Sequence, residues 1–269
     1  MTGSRFSQPS TAWRMLHVAV VMLGFFALWQ LGVMLMHPPE YILPSPTEIF
    51  QEMVSAPLWY LDHAARTVGA TLLGFVLALA VGCLAAIGIV YSRVLENTLY
   101  TFLVSLNSVP KIALAPLFIV WMGTGLSSKI AISFLIALFA IVVDTVLGLR
   151  SIEPDAIDLF RSLRGRPLQT LLWLRMPNAL PSLFAGMKVA ISLALVGAIA
   201  GEFVASQAGL GFVILSAEGT LQTTRVFAAI VLLGIIGTIL FFIVDGIERL
   251  ACPWHVSHRA RHRGQEGVA

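Results

Sequence analysis

Charge is the scarcest property of this sequence. Only 12% of its 269 residues are Asp, Glu, Lys or Arg, while 58% are hydrophobic and the mean hydropathy is +0.88; a soluble domain usually carries about 25% charged residues. So few polar side chains could not cover a folded surface in water, which sets aside a soluble enzyme and makes lipid the solvent for most of the chain. Cysteine is nearly absent as well. Cys83 lies inside an apolar run and Cys252 far from it, without CxxC or CxxH spacing, so neither a disulfide framework nor a metal site is read. No Gly-Lys dipeptide occurs, which excludes a P-loop; any nucleotide-driven energy must come from another polypeptide. The histidines at 17, 37, 63, 255, 258 and 262 do not converge with carboxylates or cysteines inside any apolar run, so an intramembrane enzyme finds no support. His255, His258 and His262 have helical spacing, but without a second shell an Arg-rich solvated tail is the better reading than a metal site.

What the chain does have is long apolar runs. They cover Leu16 to Met36, Thr67 to Tyr91, Thr98 to Met122, Ile130 to Leu149, Leu183 to Val204 and Val226 to Ile247, each near the roughly 20 residues a membrane span needs. The expected architecture is all-α, a six-helix membrane bundle. It comprises an N-terminal tail (1–15), one transmembrane domain (16–249) and a basic C-terminal tail (250–269). The first run follows Arg5 and Arg14 like a secretion signal. It exceeds a signal core of about 7 to 15 residues and no small-x-small cleavage site follows, so it is read as a span.

The few charges sort by side. Arg5, Arg14, Arg93, Arg150, Arg161, Arg164, Arg166, Arg175, Arg249, Arg259, Arg261 and Arg263 fall on one side; the segment from 37 to 65 has no Lys or Arg but contains Glu40, Glu48, Glu52 and Asp62. The positive-inside rule then places both termini and the 150–182 segment in the cytoplasm, as an even number of spans requires. Trp13, Trp59, Trp121 and Trp254 fall at the resulting interfaces. The net charge of +3 and pI near 9.1 thus report orientation rather than affinity for nucleic acid.

Within the spans, small residues mark helix packing. Ala78, Gly82 and Ala86 recur at four-residue spacing, as do Ala190, Ala194 and Ala198 beside Gly197 and Gly201; such residues let backbones approach closely, within one chain or across a dimer seam. The third run is interrupted by Pro110 and Pro116 around Lys111. A broken helix is expected there, and broken helices at membrane depth are tolerated where they are buried in protein or line an aqueous path. Lys111, near the midplane, either binds carbonyls freed by the break or faces an anionic substrate. Lys188 either pairs with Asp144 or Asp245, at similar depth on other spans, or snorkels to the interface. Glu202, ahead of the Gly209-Leu-Gly211 turn, belongs either to an external gate or to a solvated helix end.

The 150–182 segment reads as a cytoplasmic helical hairpin. Ser151 is a plausible cap, Pro154 and Asp155 suit a first turn, Gly165 suits a stop, and a second short helix would run from Pro167 to just before Pro177. Its apolar Ile157, Leu159, Phe160 and Leu163 must pack on the bundle or on a soluble partner.

Asp158-Leu-Phe-x3-Arg164-Gly, followed by Leu174-x-Met-Pro177, resembles the EAA loop of permease subunits of binding-protein-dependent ABC importers, whose pattern is Glu-Ala-Ala-x3-Gly-x9-Ile-x-Leu-Pro. Pro177 falls in register. Asp158 stands for Glu, Leu159 and Phe160 for the alanine pair, and Arg164 for the glycine, with Gly165 one residue later. The likeness continues through Val109-Pro-Lys-Ile-Ala-Leu-Ala-Pro, Gly201-Glu-Phe-Val-Ala-Ser-Gln-Ala-Gly-Leu-Gly and Glu248-Arg-Leu-x-x-Pro-Trp-His, which together are similar to the nitrate, sulfonate and taurine branch.

The resemblance implies a type I importer fold in a bacterial inner membrane, with two permease copies around one path. It also implies two ATPase subunits carrying ATP and Mg, docked on Asp158, Leu159, Phe160, Leu163, Arg164, Gly165 and Pro177, and an extracytoplasmic binding protein that delivers a small, by preference anionic, solute. Pro110, Lys111, Pro116, Glu202, Gly209 and Gly211 would belong to the path or its gate. The competing reading is a stand-alone secondary transporter or channel, which leaves the hairpin's apolar face unexplained.

Overall fold

The structure is a computed structural model that describes residues 11–254; Arg5 and the residues from His255 onward lie outside the described residues. The described chain is helical, without strands: α1 (Thr11–Met36), α2 (Pro46–Ser55), α3 (Pro57–Tyr91), α4 (Arg93–Ser108), α5 (Lys111–Met122), α6 (Leu126–Arg150), α7 (Pro154–Ser162), α8 (Pro167–Val204), α9 (Leu210–Glu218) and α10 (Thr223–Ala251). Five helices, α1, α3, α6, α8 and α10, are long and apolar enough to cross a membrane. The α4–α5 pair, bent by 90°, would count as a sixth, broken span.

Helices α3, α6 and α8 pack on one another, and glycine decides how closely they approach. A Cβ on Gly74 of α3, or on Gly197 of α8, would collide with Ser133 of α6. Ser133 Oγ donates to the Ala194 carbonyl at 2.7 Å, so a polar group closes the crossing where lipid supplies no hydrophobic drive. Ala78, Gly82, Ala86, Ala190, Ala194 and Ala198 are all buried in this intrachain packing, so the small-residue stripes are spent within the chain and form no dimer seam. Helix α1 lies outside this core and touches α10 through Trp29 and Phe227, whose rings are 5.8 Å apart.

The structure differs from the expectation in two boundaries and one added helix. The second span begins at Pro57, ten residues before Thr67: Pro57 suits the first helical turn, and Arg66 pairs with Asp62 at 2.9 Å one turn away, so the charges end the apolar run but not the helix. Segment 37–65 also holds α2, closed by a capping box in which Ser45 N–H donates to Glu48 Oε2 at 2.6 Å. The second helix of the 150–182 segment does not stop before Pro177. It runs into the fifth span as α8, because a π-turn at Thr170–Arg175 just upstream absorbs the missing donor.

Candidate functional site

Polar side chains converge at both ends of the bundle. At the first end, α3, α6, α8 and α9 meet around Glu202, which is 1% exposed. Its carboxylate accepts from Thr67 Oγ1 at 2.9 Å and from the Gly211 N–H at 2.8 Å; Thr67 Oγ1 in turn accepts from the Leu210 N–H at 2.9 Å, and His63 Nδ1 from the Gly209 N–H at 3.0 Å. The start of α9 thereby caps a carboxylate with its free N–H groups, where the helix dipole favours negative charge. Gly209 has φ +117, and a Cβ there would run into the Glu202 carboxylate; on Gly211 it would lie 2.9 Å from Glu202 Cβ. Lys129 closes the same turn, donating to Ser206 Oγ at 2.6 Å and to the Ala208 carbonyl at 3.0 Å. Glu202 is therefore not a solvated helix end. His63, Thr67 and Lys129 were missed by sequence reasoning, since each looks like a lone polar residue at a span's lip.

At mid-depth, the residue before Pro110 is driven to extended backbone (Val109 φ −80, ψ 131), and there α4 turns into α5. Pro116 breaks nothing: it sits in the first turn of the Ala115–Met122 segment, where no helical donor is needed. Lys111 Nζ donates to the Asn107 side-chain oxygen at 2.5 Å and lies 5.6 Å from the Phe139 ring centroid, so its partner is a side-chain amide rather than a freed main-chain carbonyl.

Toward the opposite end, Lys188 of α8 pairs with Asp245 at 2.8 Å and with Glu248, and Arg249 also reaches Asp245. Lys188 is held inward, its side chain 20% exposed, rather than snorkelling. Asp144 takes no part; it packs where a Cβ on Gly186 would stand and makes no ion pair among the described residues. Glu248, one turn beyond Asp245 on the same face, is the partner sequence reasoning missed.

At that end α7 stands out from the bundle. Ser151 does not cap it: its Oγ donates to the Gly148 carbonyl at 2.9 Å and accepts from Asn178 Nδ2 at 2.8 Å, so it closes α6, and Glu153 precedes α7 without a side-chain cap. The stop lies one residue earlier than expected. Gly165 N–H donates to the Phe160 carbonyl at 3.0 Å and Arg164 N–H to the Arg161 carbonyl at 2.9 Å, a Schellman closure whose left-handed residue is Arg164, at φ +59. A non-glycine residue there costs about 1–2 kcal/mol. Leu159 and Leu163 are 64% and 72% exposed, and Asp158 pairs with Arg161 at 3.2 Å on the surface. Below the tip, Arg175 donates to the Leu149 carbonyl at 3.2 Å and stacks 5.5 Å from the Tyr91 ring, Tyr91 donates to the Pro167 carbonyl at 3.1 Å, and Arg150 pairs with Glu96 at 2.9 Å. Displacing the start of α8 must therefore load the ends of α3 and α6, and the Arg150–Glu96 pair joins α6 to α4. Among the described residues no His, Cys, Asp and Glu cluster could hold a metal ion.

This arrangement has relatives. The riboflavin transport system permease protein RibX of Chloroflexus aurantiacus is 35% identical over 91% of this chain and 92% of its own length. The putative aliphatic sulfonates transport permease protein SsuC of Escherichia coli is 32% identical over 89% and 92%. Among solved structures, an inward-facing MetNI methionine ABC transporter shares the fold with a TM-score of 0.61, at 24% identity over 75% of this chain and 98% of that one. Residues 74–251 match the family described as binding-protein-dependent transport system inner membrane component. The chain thus belongs to that family, as a membrane-spanning permease subunit of an ABC importer whose ATPase is a separate polypeptide.

Proposed function

We propose that two copies of this chain form one translocation path, each with six spans and both termini in the cytoplasm, and that each docks an ATPase subunit through α7. ATP and Mg belong to that partner. The observation that carries the reading is the exposed Leu159–Leu163 face of α7, followed directly by an α8 start that Arg175 and Tyr91 tie to α6 and α3, so that an external push on α7 passes through α8 into the bundle. The Glu202 end then faces outward, where the segment from 37 to 65 lacks Lys and Arg, and a binding protein delivers solute there. Glu202, Gly209 and Gly211 form the outer gate, Pro110 bends a helix along the path, and Lys111 and Pro116 follow directly after that bend. Alternating access follows if nucleotide and binding protein bias two packings of the same helices.

The solute is a small anion, a reading supported by the cationic Lys111 at the broken helix and by the sulfonate relatives. A second reading, an uncharged aromatic heterocycle, is favoured by the riboflavin relative and by the engagement of Lys111 with Asn107. The deciding experiment reconstitutes the permease with its ATPase and binding protein in vesicles and follows uptake of the ligand that co-purifies with the binding protein. ATP-dependent uptake of an anion is expected. Uptake that ignores ATP would overturn the coupling assignment, and a strictly neutral ligand would overturn the anion.

A further inference from the structure

The coupling tip departs from its family's pattern at adjacent positions, and the structure shows why the departures belong together. In a Schellman closure the residue after the left-handed one usually makes an apolar contact with the residue five before it. Here those positions are Gly165 and Phe160. Gly165 has no side chain to offer, and the Phe160 ring occupies the missing space: a Cβ built on Gly165 would collide with Phe160 Cδ1 and Cε1 and lie 2.9 Å from the Phe160 carbonyl oxygen. Phe160 is half-buried, whereas Leu159 and Leu163 beside it stand well out in solvent. The backbone bond from Gly165 N–H to the Phe160 carbonyl, 3.0 Å, closes under the same ring. Arg164 is a poor residue for the left-handed position between them, so the turn needs an apolar clasp more than one with glycine there would.

We propose that Phe160 is a positioning residue rather than an ATPase contact: it clasps Gly165 to hold the tip closed despite Arg164, and leaves Leu159 and Leu163 as the docking surface. The proposal rests on the assignment of α7 as the coupling element. It makes Phe160 and Gly165 a coupled pair, since removing the ring at 160 relieves the severe collision of an alanine at 165 and leaves only its 2.9 Å approach to the backbone carbonyl of 160.

The test uses the full-length permease in lipid nanodiscs with its ATPase, reading ATPase affinity and amide exchange across residues 159–166. Gly165→Ala is expected to weaken affinity about tenfold, as overpacking at a tight site does, and to speed exchange at the Gly165 amide. Phe160→Ala is expected to speed that exchange while weakening affinity only a few-fold. The double variant Phe160→Ala/Gly165→Ala should bind about threefold more tightly than Gly165→Ala, as coupled neighbours do, yet stay weaker than the parent because the approach to the backbone carbonyl of 160 remains. A double variant no better than Gly165→Ala, or unchanged exchange in Phe160→Ala, would overturn the clasp. Leu159→Glu separates the two assignments. If it leaves ATPase affinity intact, α7 is not the coupling element, and amide exchange alone then decides the clasp.

Discussion

The two ends of the bundle are built on opposite plans. Around Glu202 a set of buried polar groups is matched: one carboxylate, one hydroxyl, one imidazole nitrogen and three successive N–H groups of the α9 start satisfy one another, with glycine at 209 and 211 to let them close. Around α7 the polar contacts lie below the tip, and the tip itself exposes Leu159 and Leu163. A buried network without spare partners has two states, made or broken. An exposed apolar face is incomplete until something covers it. The first suits a gate, the second a handle.

That contrast is broken most severely by Glu202→Ala. Thr67 and the Gly211 N–H would be left unsatisfied in a buried site, a loss on the order of 3 kcal/mol. A marked fall in thermal unfolding temperature of the purified permease is expected, together with loss of uptake, while Glu202→Gln should retain part of both. Unchanged stability in Glu202→Ala would remove the distinction between the two ends. The mirror experiment is Leu159→Glu/Leu163→Glu. Both side chains are exposed, so folding stability should move by no more than about 0.5 kcal/mol. ATPase affinity should nevertheless fall about a hundredfold, the scale expected when central apolar anchors of an interface are lost. A large stability loss with affinity preserved would show that α7 packs on its own bundle.

How much of this could be read beforehand depended on whether a residue's partners are local. The α7 start at Pro154, the apolar residues of its tip and the break at Pro110 are set by neighbours a few positions away, and the sequence shows them. Glu202 read equally as a solvated end because its partners, Thr67 and Gly211, are brought to it by the crossing of α3 with α8 and by the return of α9. Depth alone could not choose between Asp144 and Asp245 for Lys188; the choice lies in which faces of α6, α8 and α10 meet, and Gly186 turns α8 toward Asp144 by contact rather than by charge. Ser151 was legible as a cap, but serine can serve either neighbouring helix, and its hydroxyl went to the end of α6.

The Lys188 cluster lies between the two plans, partly buried and wholly charged, and it sharpens where one gives way to the other. Lys188→Met should cost about 2 kcal/mol, less than a fully buried pair because water still reaches these side chains. The double variant Lys188→Met/Asp245→Asn should cost less than the sum of its two single variants, since neither charge of the pair is then left without the other. If the two losses simply add, the pair does not act as a unit. Lys188→Met with parental stability would place the cluster with the exposed end.

The smallest effect is expected at Arg164. Replacing it with glycine removes the strain of a left-handed non-glycine residue and should steady the α7 stop by about 1 kcal/mol, visible as slower amide exchange at residues 163–165 with little change in the global unfolding temperature. Two forces then compete at the docking surface. A stiffer tip loses less freedom on binding and should hold the ATPase more tightly, whereas the lost guanidinium removes a cation that stands exposed at the tip. Affinity measured at low and high salt separates them. If Arg164→Gly binds more tightly and the gain is independent of salt, the arginine is only a strained member of the turn. If affinity falls at low salt and the difference vanishes at high salt, the partner's groove carries a carboxylate opposite Arg164, and the handle is matched by charge as well as by its two leucines.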